Sequence, residues 1–184
     1  MRFFHKPLTG IPQAKNSMTS IKTLYVIRHA KSSWEDFTVT DFDRPLKEKG
    51  IRDAQHLFAH LANDLSGIEQ IAASPAARAK QTAMLLCQVV GLPASTLSMH
   101  KILYDATVAN VFSVINALPN SLETVAIVGH NPSLTYFANH FLKKEIENLP
   151  TAGIVKLVFS IDSWDEVRHG KVLESNTYFP KQLK

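Results

Sequence analysis

Cysteine is almost missing from this sequence: Cys87 is the only one in 184 residues. That excludes an intrachain disulfide framework and fits a reducing compartment. Set among Met84, Leu85, Leu86 and Val90, the thiol reads as a buried, inert group. Long apolar runs are missing as well. Nothing approaches the ~18 residues of a membrane span, and the N-terminal segment lacks the apolar stretch of a secretory signal. A cytoplasmic protein without a membrane partner is expected. Net charge is scarce where it would count. The formal charge is +4, but residues 1–20 hold Arg2, Lys6 and Lys15 and no acid, leaving 17 basic against 16 acidic residues in the remainder. The high isoelectric point therefore indicates no nucleic-acid partner.

Internal repeats and low-complexity segments are also lacking. Pro7, Gly10 and Pro12 break any amphipathic presequence, so residues 1–20 read as a disordered extension, with Met18 a candidate natural start. The remaining length, in a chain that is 45% hydrophobic, suits one domain over residues 21–184. From Ile21 onward, short apolar runs alternate with stretches of helical period. This pattern predicts an α/β fold, a three-layer α/β/α sandwich around a mostly parallel central sheet. Strands are expected at Thr23–Ile27, Gln70–Ala73, Ser98–Leu103 and Thr124–Val128, with a closing hairpin of Ile154–Ile161 and Lys171–Tyr178. Helices are expected from about Lys47, where Ile51, Ala54, Leu57, Phe58 and Leu61 share a face, and from Val108 to Ala117. Two more should open on a capping residue followed by proline: Ser74-Pro75, and Asn131-Pro132 with a helix running to about Leu142. No connection is long enough for a cap domain, so a site at the strand ends would be open.

Those strand ends carry the chemistry. The run Leu24-Tyr25-Val26-Ile27 stops on Arg28-His29, and Val125-Ala126-Ile127-Val128-Gly129 stops on His130. Ligands of open α/β sheets bind beyond the carboxyl ends of strands. Arg78 falls in the first turn of the helix after Ser74-Pro75, where backbone N–H groups favour anions. Two arginines and two histidines at one rim are the materials of a phosphoryl site with a nucleophile. Arg28 and Arg78 supply planar forks for phosphate oxygens, and neutral His29 attacks phosphorus. His130 joins the arginines around the equatorial oxygens. The acid for the departing group is Asp105, at the end of the third strand, which could instead cap the helix from Thr107. Asp41 and Asp43 are the alternatives, and Arg44 beside them either tunes the site or pairs with a neighbouring acid. His56 and His60 stand one turn apart without a third ligand, and His5, His100, His140 and His169 have no partner pattern. No metal and no cofactor are called for.

Three ordered segments carry a family resemblance: Arg28-His29-Ala30, Ser74-Pro75-Ala76-Ala77-Arg78-Ala79-Lys80-Gln81-Thr82-Ala83, and Val128-Gly129-His130-Asn131-Pro132. From Leu24 to about Phe159 the chain resembles the histidine phosphatase superfamily, also called phosphoglycerate-mutase-like. Its short length, Asp43-Arg44-Pro45-Leu46 with Gly50 beyond, and Leu103-Tyr104-Asp105-Ala106 resemble the small, capless SixA-type phosphohistidine phosphatases. The resemblance implies His29 as nucleophile, with Arg28, Arg78 and His130 as the phosphate pocket. It implies a metal-independent phosphatase acting on phosphohistidine or another phosphoprotein, with a small-molecule phosphate monoesterase or a feebly active phosphate-binding module as alternatives. Two positions depart from the pattern. Ala30 replaces a glycine, adding a methyl where the backbone runs close to phosphate. Asp105 stands where larger members have glutamate, which weakens acid catalysis on alkyl esters. The sequence leaves the oligomeric state open.

Overall fold

The computed structural model describes residues 20–183. The expected N-terminal extension, Met18 and His5 lie outside the described residues. The elements run β1 (Ile21–Arg28), α1 (Glu48–His60), α2 (Ala62–Leu65), β2 (Gln70–Ala73), α3 (Ala77–Val90), β3 (Leu97–Met99), α4 (Val108–Asn116), β4 (Thr124–Gly129), α5 (Ser133–Asn139), β5 (Ile154–Ser160) and β6 (Lys171–Tyr178). All six strands form one sheet in the order β3-β2-β4-β1-β5-β6. The pairs β3–β2, β2–β4 and β4–β1 are parallel, while β5 and β6 join antiparallel at one edge.

Strand alternation sorts the core into two layers. Leu24, Val26, Val125 and Ile127 point to the side covered by α4 and α5, where Val111, Ile115, Leu134 and Phe137 meet them. Tyr25, Ile27, Ala126 and Val128 point to the opposite side, under Ala54, Leu57 and Phe58 of α1 and Ala79, Ala83 and Leu86 of α3. Because both faces are covered, β1 and β4 read as unbroken apolar runs rather than alternating ones. Cys87 is buried on the second side, and its surroundings push the thiol above its ordinary pKa. This is the inert thiol the sequence suggests.

Three expectations of local structure are corrected. The third strand is only Leu97–Met99, and the chain then turns through a 3-10 segment, Lys101–Leu103. Helix α3 starts at Ala77 without a side-chain cap, so Ser74 and Pro75 lie before it. Helix α5 is shorter than predicted, and Asn131 does not cap it; the Asn131 amide instead donates to Asn148 Oδ1 and the Leu149 carbonyl. In the last two cases a polar residue read as a local cap is taken up by a long-range partner.

The segment between β1 and α1 is a loop with a pinched neck. Ser32 and Leu46 form an isolated antiparallel bridge, and the Lys47 amide donates to the Lys31 carbonyl at 2.8 Å. Helix α1 presses onto this neck through Gly50, where a Cβ would collide with the Lys31 carbonyl. A glycine is required there by close approach.

Candidate active site

At the carboxyl ends of β1 and β4 a pocket of about 390 Å³ is lined by Arg28, His29, Arg78 and His130, the four residues the sequence singles out. The parallel pairing explains their meeting. Arg28 is in register with Gly129, so the chain leaves both strands at one level, on His29 and His130. Their rings lie 5.0 Å apart. Arg78, the second residue of α3, is buried and reaches the same rim. Lys31, Arg44 and Lys47 add three cations to the lining, against a single carboxylate, Asp41.

His29 is prepared as a nucleophile by one hydrogen bond. Its Nδ1 lies 2.7 Å from the Ala30 carbonyl. A carbonyl only accepts, so Nδ1 carries the proton and Nε2 keeps its lone pair. Burial lowers the imidazole pKa from 6.5 to about 4; the bond to the Ala30 carbonyl opposes this, and Arg78, Arg28 and Arg44 reinforce it. The ring is therefore neutral at pH 7. His130 is held down to about 3, first by burial, then by His29 and Arg78. Its Nε2 lies 2.8 Å from Ser74 Oγ. Ser74 already accepts from the Ala76 amide, and the acceptor its hydroxyl meets is His130 Nε2. Donation there leaves the proton of neutral His130 on Nδ1, which has no protein partner. Ser74 is thus a tautomer-setting residue that the sequence disguises as a helix cap.

Among the described residues, the buried side-chain polar atoms without partners are Arg28 Nε, Arg44 Nε, His130 Nδ1 and Asn131 Oδ1. All four belong to the lining of this pocket. Such atoms are rare in folded proteins and costly. Three of them can donate, which suits a ligand rich in acceptor oxygens.

Asp41 ties the cations together. Its carboxylate accepts from Arg44 Nη1, Arg78 Nη2 and the Tyr104 hydroxyl, each at 3.0 Å, and its backbone carbonyl accepts from Arg78 Nη1. Burial works to raise the carboxyl pKa, but the Tyr104 hydroxyl and the two guanidinium groups outweigh it and hold the group below its ordinary value. Arg44 thus does both things the sequence allowed, pairing with an acid and charging the pocket.

Asp105 does not reach the pocket. It is exposed and sits at φ 53° in a left-handed turn, because the third strand ends at Met99. Nor does it cap α4, whose cap is Thr107 in a reciprocal pair with Asn110. Asp43 is likewise outside the lining and receives the Thr40 hydroxyl. The methyl of Ala30 does not crowd the pocket; Ala30 is fully buried beneath α1 and α3, and its amide donates to Thr82 Oγ1. The first amide of α3, at Ala77, donates to the Phe42 carbonyl, so the loop rather than an anion takes it. Asn131 lines the pocket from within the third resemblance segment, whereas Lys31, Ser32, Trp34, Lys47 and Thr151 carry no motif by which sequence reasoning could have found them.

An α/β sheet that ends in paired histidines among arginines defines a phosphoryl-handling class of protein. A family model for the histidine phosphatase superfamily (branch 1) matches residues 24–99. An uncharacterized protein of Mycobacterium tuberculosis strain H37Rv is 30% identical over 154 residues, covering 78% of this chain and 93% of that one. An uncharacterized chloroplastic protein of Arabidopsis thaliana is 28% identical over 171 residues, covering 87% of this chain and 78% of that one. Among solved structures, the protein histidine phosphatase SixA complexed with tungstate superposes with a TM-score of 0.73 at 22% identity, over 88% of this chain and 99% of that one. A phosphoglycerate mutase from Bacillus anthracis strain Sterne superposes at 0.55 with 20% identity, over 79% and 91%. The chain belongs to the histidine phosphatase superfamily, and its fold is that of SixA.

Proposed function

We propose that this protein hydrolyses phosphoryl groups through a covalent phosphohistidine on His29, without a metal. The observation that carries the reading is the 2.7 Å contact of His29 Nδ1 with the Ala30 carbonyl. In a ring that burial keeps neutral, it holds the proton on Nδ1 and leaves the Nε2 lone pair free among three cationic or donor side chains. The Nε2 lone pair forms a bond to phosphorus as the bond to the departing group breaks. Arg28, Arg78 and the Nδ1–H of His130 receive the equatorial oxygens, where charge collects. Water then attacks the phosphohistidine, inorganic phosphate leaves, and His29 returns to its neutral form.

Asp41 replaces Asp105 as the proton source. It lines the pocket and contacts Arg78 directly. A phosphoryl dianion on the same arginines would weaken their hold on its ionised form and move it toward protonation. An acid held toward its carboxylate form serves best those leaving groups that need little protonation. That requirement, the open rim and the likeness to SixA support phosphohistidine on a protein as the substrate.

The decisive experiment is mass spectrometry after brief acid-free quenching with a phosphohistidine peptide. A phosphate trapped on His29 is expected, together with turnover of an aryl phosphate that persists in a chelator. Chelator-sensitive turnover, or phosphate trapped elsewhere, would overturn the proposal.

A further inference from the structure

The loop between β1 and α1 leaves three aromatic side chains exposed, Phe42 the least of them. Trp34 is 64% exposed and Phe37 93%. Trp34 differs in lining the phosphate pocket. It is also fixed. The guanidinium carbon of Arg44 lies 3.3 Å from its ring centroid, and Arg44 is itself buried and bonded edgewise to Asp41 and Ser32. One face of the indole is therefore occupied by a cation, and the exposed remainder of the ring stands at the mouth of the pocket. Solvent-facing tryptophan forfeits the favourable burial that its large apolar area could gain. Packing against the protein core does not explain why this loop holds an indole there.

The geometry points to Trp34 as a specificity-determining platform for an aromatic leaving group. A flat ring attached to the bound phosphoryl group stacks on the open part of the indole, whereas an alkyl group finds no matching face. This rests on the phosphoryl site proposed above and adds the class of group that departs from it. The second support is chemical. Asp41 is engaged by Tyr104 and two arginines, so the site favours imidazole or phenol-type leaving groups, which depart more readily than an alkoxide.

Stacking of this kind is worth roughly 0.5–1.5 kcal/mol, about a two- to twelvefold change in affinity. Calorimetry with two ligands that resist hydrolysis, phenylphosphonate and methylphosphonate, reads it without relying on turnover. The wild-type protein is expected to prefer phenylphosphonate about two- to twelvefold beyond any preference shown by Trp34→Leu, which keeps apolar bulk and removes the π face. Trp34→Phe should retain part of the preference. The ratio is the readout, so a general loosening of the pocket, which weakens both ligands alike, cannot mimic the result. An equal ratio in wild type and Trp34→Leu overturns the platform. If neither phosphonate nor inorganic phosphate binds the wild type, the phosphoryl site itself is overturned. Comparing turnover of a phosphorylated imidazole with that of phenyl phosphate then separates the two aromatic classes.

Discussion

Beside each end of β1 a cation meets a tryptophan, one on the strand itself and one on the loop that follows it, and the two are treated in opposite ways. At the amino end, Lys22 is almost completely buried, donates to the carbonyls of Asn120 and Leu122, and lies 5.3 Å from the ring of Trp164, itself fully buried. At the carboxyl end, Arg28 and Arg44 keep unpaired Nε atoms, and the indole over Arg44 stands in solvent. The same strand thus carries a closed polar arrangement at one end and an unfinished one at the other. A satisfied buried cation contributes to holding the fold, whereas unsatisfied donors around a neutral nucleophile favour an anionic ligand.

Four measurements can break that contrast, taken from the largest expected effect. His29→Ala should abolish turnover, by about 10³-fold or more, while thermal stability holds or rises; a residual rate near wild type would detach the nucleophile from its end of the strand. Lys22→Met should do the reverse. Two carbonyls lose their donor, and denaturant unfolding should show a loss of about 3 kcal/mol with the kinetic constants of the folded fraction unchanged.

The third measurement uses pH. His29 and His130 have native pKa values of about 4 and about 3, below the ordinary 6.5. The unfolded chain therefore binds more protons than the native one in this range. Their contribution to stability is complete above about pH 6.5 and drains away as pH falls toward the native values. Wild type should lose about 2 kcal/mol more than His29→Asn between pH 7.5 and 4.5, and NMR of the imidazole protons should show both rings neutral at pH 5.5. Parallel losses in the two proteins would contradict the lowered pKa. The smallest effect belongs to Ser74→Ala, about tenfold in kcat, with a change in the tautomer of His130 seen by nitrogen chemical shifts; restoration by Ser74→Thr marks the hydroxyl as the cause.

The sequence shows one end of β1 much better than the other. Arg28-His29 and His130 stand out because polar residues end runs that are otherwise wholly apolar, and parallel pairing of β1 with β4 then has to bring them together. Lys22 escapes notice because one lysine before Thr23 looks like a solvated strand start. The sheet, its hairpin and both helical layers were legible for the same reason, since apolar periodicity reports burial directly. Partners chosen across long sequence distance were not. Ser74, Asn131 and Asp105 all fit local capping rules, yet Ser74 turns to His130, Asn131 to the segment at Leu149, and Asp105 to solvent. Asp41 and Trp34 belong to a loop whose composition has no period, so only its closed neck fixes where they stand.

That neck has a consequence for inheritance. Because Ser32 pairs with Leu46, the residues between leave and rejoin the scaffold at nearly one point, and Trp34, Asp41 and Arg44 travel as one unit. The segment can be exchanged or lengthened without disturbing either strand that carries a histidine. Grafting another loop onto this neck should change the leaving group selected and the acid that serves it together, while Arg28, His29, Arg78 and His130 keep their places on the sheet and α3.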